Sequence, residues 1–282
     1  MRKRVRAQGR PSAAPGPFLR ARELMDRVAR DSPARLALFV FAGIVLVETS
    51  LLSMPASTSS GQRAPFVDAF FTATSSVCVT GLVTVDTATY WSPLGQFFIA
   101  IGMMIGGLGI MMMASILGIV VSRRIGLTQR FLAASETKSR LGEVGLLVRA
   151  VVVVALSAQA ILFLTLTPFF IREGDAMLSA LWHAAFMAIS IFNNGGFVVM
   201  RDGLGPYAGD WTLTLPIVFG TVVGAIGFPV VLDMWRRRRH VKKWSLTTKL
   251  TLVTYAVLLL LGALLFFLFE WDNPKTLANL SL

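Results

Sequence analysis

Val77-Cys78-Val79-Thr80-Gly81 and Phe192-Asn193-Asn194-Gly195-Gly196 are two short runs that end in glycine and sit inside apolar sequence. Irregular backbone at membrane depth is tolerated only where it is buried in protein or lines a water-filled path. Held extended, such a run points successive carbonyl oxygens toward an axis. A ring of carbonyl dipoles can then replace the hydration shell of an alkali cation. The closing glycines, Gly81 and Gly196, supply backbone angles that a residue with a Cβ resists. The chemistry on offer is coordination by main-chain oxygen. For a lone glycine, close helix packing is the simpler reading; two in matched contexts favour coordination.

The contexts do match. Ala69-x-Phe71-x-Ala73-x-Ser75 precedes Gly81 by five residues, and Ala184-x-Phe186-x-Ala188-x-Ser190 precedes Gly196 by five. Downstream, Gly102-x3-Gly106-Gly107-Leu108-Gly109 answers to Gly220-x3-Gly224-Ala225-Ile226-Gly227. A repeated unit of helix, short apolar dip, glycine turn and helix is how a membrane pore is assembled from repeats. Phe71 and Phe186 are read as packing anchors. Gly106, Gly107, Gly109, Gly224 and Gly227 are read as sites where another element closely approaches the inner helix. Ser75 and Ser190 have two readings, a bond to the turn backbone or a cap on the helix end. The negative end of each short helix's dipole would face the glycine run, and that end favours a cation.

The elements around these runs follow from composition. Apolar residues make up 55% of the chain and mean hydropathy is +0.67, which puts the chain in the membrane class. Five stretches, 36–52, 94–121, 146–171, 212–235 and 246–269, approach or exceed the roughly 20 residues a spanning helix needs. Residues 66–82 and 176–192 are shorter, flecked with polar groups and followed by glycine turns, so they read as re-entrant. The expected fold is an all-α polytopic membrane protein of repeated helix–pore-loop–helix units. It has five spanning helices and two re-entrant ones.

The net charge of +12 is concentrated at 2–35, 123–149 and 236–249. These clusters flank spanning helices, so they mark the cytoplasmic side and not a nucleic-acid surface. If 66–82 and 176–192 each dip in and return, all three clusters share one side. If they crossed, the 123–149 loop would lie opposite the basic N-terminus. The first arrangement obeys one rule throughout, so the N-terminus is expected in the cytoplasm and the end at Leu282 outside. A signal peptide with cleavage near Ser53-Met54-Pro55-Ala56-Ser57 fits less well, because 35 residues precede the apolar run and Glu48 interrupts it.

Four segments result. Residues 1–34 form a basic cytoplasmic tail, in which 18–35 could lie as a helix on anionic lipid. Residues 35–125 are the first helix–pore–helix repeat, with its re-entrant helix at 66–76 and its returning strand at 77–82. Residues 146–239 are the second repeat, with the helix at 176–191 and the turn at 192–197. Residues 246–269 read as the first helix of a third, incomplete repeat. A two-repeat protein has no need of that helix, so the chain is expected to be the N-terminal part of a longer protein. A half-pore completed by dimerisation remains the other option.

Other reactive groups are few. Cys78 is the one cysteine and His183 and His240 the two histidines, so neither a disulfide framework nor a zinc site is expected. Glu48 and Asp233 lie near helix ends and are expected to reach water. Asp68, whose counterpart is His183, is expected to serve the positive end of a re-entrant helix. Arg236-Arg237-Arg238-Arg239 is a topology signal that could also dock a cytosolic partner. There is no nucleophile elbow, P-loop or paired metal-ligand motif, and no enzyme is expected. A transporter of organic solutes with broken helices, and a non-transporting assembly protein, are the competing readings.

In order along the chain, Phe70-Phe71-Thr72-Ala73-Thr74-Ser75, Val79-Thr80-Gly81-Leu82, Ile105-Gly106-Gly107-Leu108-Gly109-Ile110-Met111, Phe192-Asn193-Asn194-Gly195-Gly196-Phe197 and Ile226-Gly227-Phe228-Pro229-Val230 form a specific combination. It resembles the Trk/Ktr/HKT superfamily of potassium transporters, and most closely the bacterial Ktr-type membrane subunit. The resemblance implies four helix–pore–helix repeats around one pore, each giving one filter glycine. Gly81 and Gly196 match the first two. It implies K+ as the transported ion and often sodium dependence, so Na+ is a second expected ion; no other cofactor is expected. It further implies a homodimer in the lipid bilayer of the cell membrane. Cytosolic nucleotide-binding regulatory subunits of the RCK type would accompany it.

Overall fold

The computed structural model describes residues 33–124, 144–237 and 240–273. Most of the 18–35 segment of the basic tail, most of the 123–149 basic loop, and Arg238 and Arg239 lie outside them. The chain forms two compact units, Met1–Gly43 and Ile44–Leu282. In the first, residues 33–43 are helical.

Among the described residues the secondary structure is helical, with one isolated bridge between Thr58 and Trp91. The helices are α1 (Pro33–Leu52), α2 (Phe66–Val77), α3 (Thr87–Tyr90), α4 (Pro93–Arg124), α5 (Val144–Arg172), α6 (Met177–Asn193), α7 (Trp211–Ile226), α8 (Phe228–Arg236) and α9 (Leu246–Glu270). The lengths separate two kinds. With 12 residues, α2 extends roughly 18 Å, well short of a hydrocarbon core of about 30 Å. By contrast α5 and α9 hold apolar segments, Arg149–Arg172 and Leu246–Glu270, long enough to cross.

Packing follows side-chain size. Helix α2 packs on α4 with Ala69, Ala73 and Val77, all fully buried and four residues apart on one face. Phe71 lies two residues, about 200°, round the helix from Ala69 and is 36% exposed, so it is not the packing anchor the sequence implied. Phe186 is one, with no exposure, because α6 is surrounded by α4, α5 and α7.

The apolar run at 212–235 is not one straight helix. It breaks into α7 and α8, which meet at 93°. Gly227 takes φ +84° at the break, and Pro229 follows in the first turn of α8. Glycine reaches that backbone angle without a Cβ penalty, and proline needs no hydrogen-bond partner for nitrogen at a helix start. Asp210 caps α7, accepting from Thr212 N at 2.9 Å and Thr212 Oγ1 at 2.6 Å, and pairs with Arg172 at the end of α5. The Thr212 hydroxyl, with help from Arg172, holds this carboxyl below the usual carboxylate range.

Candidate functional site

The two glycine runs are built the same way. Helix α2 ends with Val79 N donating to Ser76 O at 3.1 Å and Thr80 N to Ser75 O at 2.9 Å. Helix α6 ends with Asn194 N donating to Ile191 O at 3.1 Å and Gly195 N to Ser190 O at 2.7 Å. Both are paired caps around one left-handed residue. That residue is Val79 at φ +55° in the first and Asn194 at φ +58° in the second. Asparagine tolerates the conformation, whereas a β-branched valine is strained in it by about 1–2 kcal/mol. Strain of this kind concentrates at functional sites. Gly81 and Gly196 then take φ +73° and +72°. The helix, cap and glycine therefore recur residue for residue.

Only part of each predicted run lies in the turn. Val77 closes α2, and Cys78 is still right-handed at its cap, with its thiol exposed. Phe192 and Asn193 are the last helical residues of α6. The backbone is free of the helix at Val79, Thr80 and Gly81 and at Asn194, Gly195 and Gly196. The extended strand expected from residue 77 onward is replaced there by the helix cap, because its N–H groups satisfy carbonyls that the helix end would otherwise leave open.

The two turns touch. A Cβ built on Gly81 would lie 2.7 Å from Gly195 O and 2.8 Å from Gly196 Cα, and one on Gly196 would lie 2.9 Å from Gly81 Cα. Among the described residues, none donates a hydrogen bond to the carbonyl oxygens of these six turn residues. Main-chain oxygens normally find partners. Among the described residues, six such oxygens on two adjoining turns have no protein donor.

The serines hold the turns to their helices. Ser190 Oγ donates to Phe197 O at 2.7 Å, a bond to backbone just beyond Gly196. Ser75 Oγ instead meets Thr80 Oγ1 at 3.0 Å. Behind the turns, the inner-helix glycines meet helix ends in matching register. A Cβ on Gly106 would strike Val77 O, and one on Gly224 would strike Phe192 O. Gly107 faces the Asn193 amide, and Gly195 faces Met103 Sδ. Trp182 Nε1 donates to Gln96 Oε1 at 2.8 Å and so ties α6 to α4.

One contact breaks the symmetry, and sequence reasoning missed it. Glu48 does not reach water; it is 4% exposed, and Ser76 Oγ lies 2.5 Å from its Oε1. Both carboxylate oxygens face Gly102, whose lack of a side chain makes the room. In the second repeat, Gly220 faces Leu162 and Ile191 in the corresponding place. The signal was a glutamate inside an apolar run, but its partner on α2 is visible only in three dimensions. Asp233 instead serves the start of α9, accepting from Ser245 N at 2.9 Å and Thr248 Oγ1 at 2.8 Å. Asp68 lies in the first turn of α2, while His183 Nδ1 sits 2.7 Å from Asp175 Oδ2. That pair lines an open cavity of about 500 Å³ with Met200, Arg201 and Tyr207, beside the chain leaving the second turn.

Known proteins resemble this chain over the same residues. Ktr system potassium uptake protein B of Bacillus subtilis is 35% identical over 252 residues, covering 89% of this chain and 56% of that protein. Ktr system potassium uptake protein D of the same organism is 34% identical, covering 86% of this chain and 55% of its own length. Potassium/sodium uptake protein NtpJ of Enterococcus hirae is 34% identical, with 89% and 55% covered. The chain thus spans just over half the length of these curated relatives. The TrkH family model, described as a cation transport protein, matches residues 32–272, which include both glycine turns and every helix described above. By that match, with apolar helices long enough to cross a bilayer, the chain belongs to the TrkH family of membrane cation transport proteins.

Proposed function

We propose that this chain forms part of the pathway of a potassium uptake transporter, with the carbonyls of Val79, Thr80 and Gly81 and of Asn194, Gly195 and Gly196 replacing water around K+. The carrying observation is the pair of touching turns whose six carbonyls accept no hydrogen bond from the described residues. Val77, Cys78, Phe192 and Asn193 support the turns from the helix ends. The 35–125 and 146–239 segments supply two of the four walls of a pore, and 246–269 begins a third. The 1–34 tail and the other basic segments face the cytoplasm, so the cavity at His183 opens outward and K+ moves inward down its electrochemical gradient. The relatives named for potassium and for potassium/sodium uptake support this ion class, with Na+ as the coupling or competing ion. The Ktr relatives are named as members of a system, which supports assembly with other subunits; a homodimer over a cytosolic RCK-type ring is the expected form. The function is transport, not catalysis.

The test is uptake. The protein expressed from its native gene in a bacterium lacking its own K+ uptake systems should restore growth at low K+ and drive Rb+ accumulation. Cells that accumulate Rb+ no faster than vector controls, with the protein present in the membrane, would refute this reading.

Glu48 offers a finer check. Glu48→Leu copies the second repeat's chemistry and removes the bond to Ser76. Loss of a typical hydrogen bond costs roughly 0.5–1.5 kcal/mol net, so a severalfold fall in Rb+ uptake is expected. Glu48→Gln keeps a polar partner for Ser76 and should hold most of the rate. Equal uptake by both variants would show that the contact does not position the first turn.

A further inference from the structure

We infer that α8 and residues 240–246 form a docking surface for the headgroups of anionic phospholipids. The inference rests on membrane placement and not on which ion is carried. With 16 residues, α7 rises roughly 24 Å, which carries the chain close to the edge of a hydrocarbon core of about 30 Å. At Gly227 the chain turns 93° into α8. A segment at right angles to a crossing helix, near one end of it, lies along the membrane surface. Helix α9 starts beside it, since Asp233 of α8 caps α9 through Ser245 and Thr248.

The exposed chemistry of this corner is that of an interfacial element. Phe228 and Val230 face inward and are buried. Trp235 is 61% exposed, and Val241 and Leu246 are exposed with it. Interleaved with them are Arg236, Lys242 and Lys243, all exposed, and among the described residues none of the three forms an ion pair. Arg237 is occupied by Asp233, its Nε 3.2 Å from Oδ1, and Lys249 Nζ donates to Lys242 O at 3.0 Å. Asp233 is the one acidic residue in 228–249, and it is already committed to Arg237 and α9. Bare cations alternating with an exposed indole and aliphatic side chains fit a boundary where headgroup phosphate meets acyl chain. A soluble acidic protein would match the charge but gives no reason for Trp235, Val241 and Leu246 to stand exposed beside it. Cations next to an anionic leaflet are the established basis of such attraction.

The experiment is lipid retention by the purified protein, expressed from its native gene, in detergent. Phosphatidylglycerol and phosphatidylcholine are titrated separately and bound lipids counted by native mass spectrometry. The wild type should prefer phosphatidylglycerol. Each cation at such a surface contributes about fivefold, so Arg236→Gln, Lys242→Gln and Lys243→Gln together should lower phosphatidylglycerol affinity at least tenfold. The charge-keeping set Arg236→Lys, Lys242→Arg and Lys243→Arg should retain it, and Trp235→Ala should weaken both lipids. The assignment is overturned if the wild type shows no preference, or if the glutamine set retains phosphatidylglycerol as the wild type does. It is overturned equally if a polyglutamate peptide binds more tightly than phosphatidylglycerol and needs the same three cations, which would make the surface a protein dock. No arm depends on transport.

Discussion

Gly196→Ala is expected to reduce selectivity for K+ over Na+ at least tenfold, and Gly81→Ser to do the same. Two costs add at each position. A residue with a Cβ held near φ +72° loses about 1–2 kcal/mol. The new Cβ would also meet backbone of the other turn, Gly81 Cα at 2.9 Å in one direction and Gly195 O at 2.7 Å in the other. Backbone cannot swing aside as a side-chain tip can, so the turns must separate and their carbonyls spread. A smaller, more strongly hydrated ion is then no longer disfavoured. Gly203 is the control. It has nearly the same backbone angle, φ +68°, but nothing within 4 Å of a built Cβ. Gly203→Ala should therefore carry the strain and leave selectivity unchanged. Competing Rb+ and Na+ influx in the uptake-deficient strain measures all three. Wild-type selectivity in both turn variants would remove these glycines from the pathway.

The second large effect is on folding. Gly224→Val and Gly106→Val should each lower the melting temperature by several degrees and reduce the yield of monodisperse protein. The valine at 224 would drive into the Phe192 carbonyl group and lie against the Asn194 amide, while that at 106 would meet Val77 backbone, its Cβ only 2.8 Å from the Val77 carbonyl carbon. Overpacking of this kind costs about 1–3 kcal/mol where neighbours can adjust, and more against fixed backbone. At a scale of about 2–4 °C per kcal/mol for chains of this size, the shift is readily measured. Gly262 on α9 has nothing within 4 Å, and Gly262→Ala should be neutral or slightly stabilising because alanine is the better helix former. Melting in detergent, followed by size-exclusion chromatography, separates the outcomes. If Gly224→Val melts with the wild type, α7 does not lean on the end of α6 as described.

Sequence alone determined the periodic features. Hydropathy and length placed α4, α5 and α9 within a few residues of their ends, because a long apolar helix has one solution in a bilayer: backbone bonds satisfied internally and side chains facing lipid or neighbours. The duplicated small residues and glycines located both turns and paired Gly106 with Gly224, because a position that must lack a side chain shows directly in the residue type. Where a neighbour from elsewhere in the chain decided the matter, the residue type was silent. Val79 adopts a left-handed angle that valine disfavours because the cap of α2 and the turn beside it hold it there. Phe71 and Phe186 occupy the same place in the repeat, yet only Phe186 is enclosed, since α6 has helices on three sides where α2 has one principal neighbour. Glu48 turns inward because Ser76 and the gap at Gly102 meet it. The right angle at Gly227 arises from backbone geometry inside an apolar run whose hydropathy reads as continuous. Apolar periodicity reports the medium around a helix, whereas these contacts depend on which side chains the fold brings together from distant parts of the sequence.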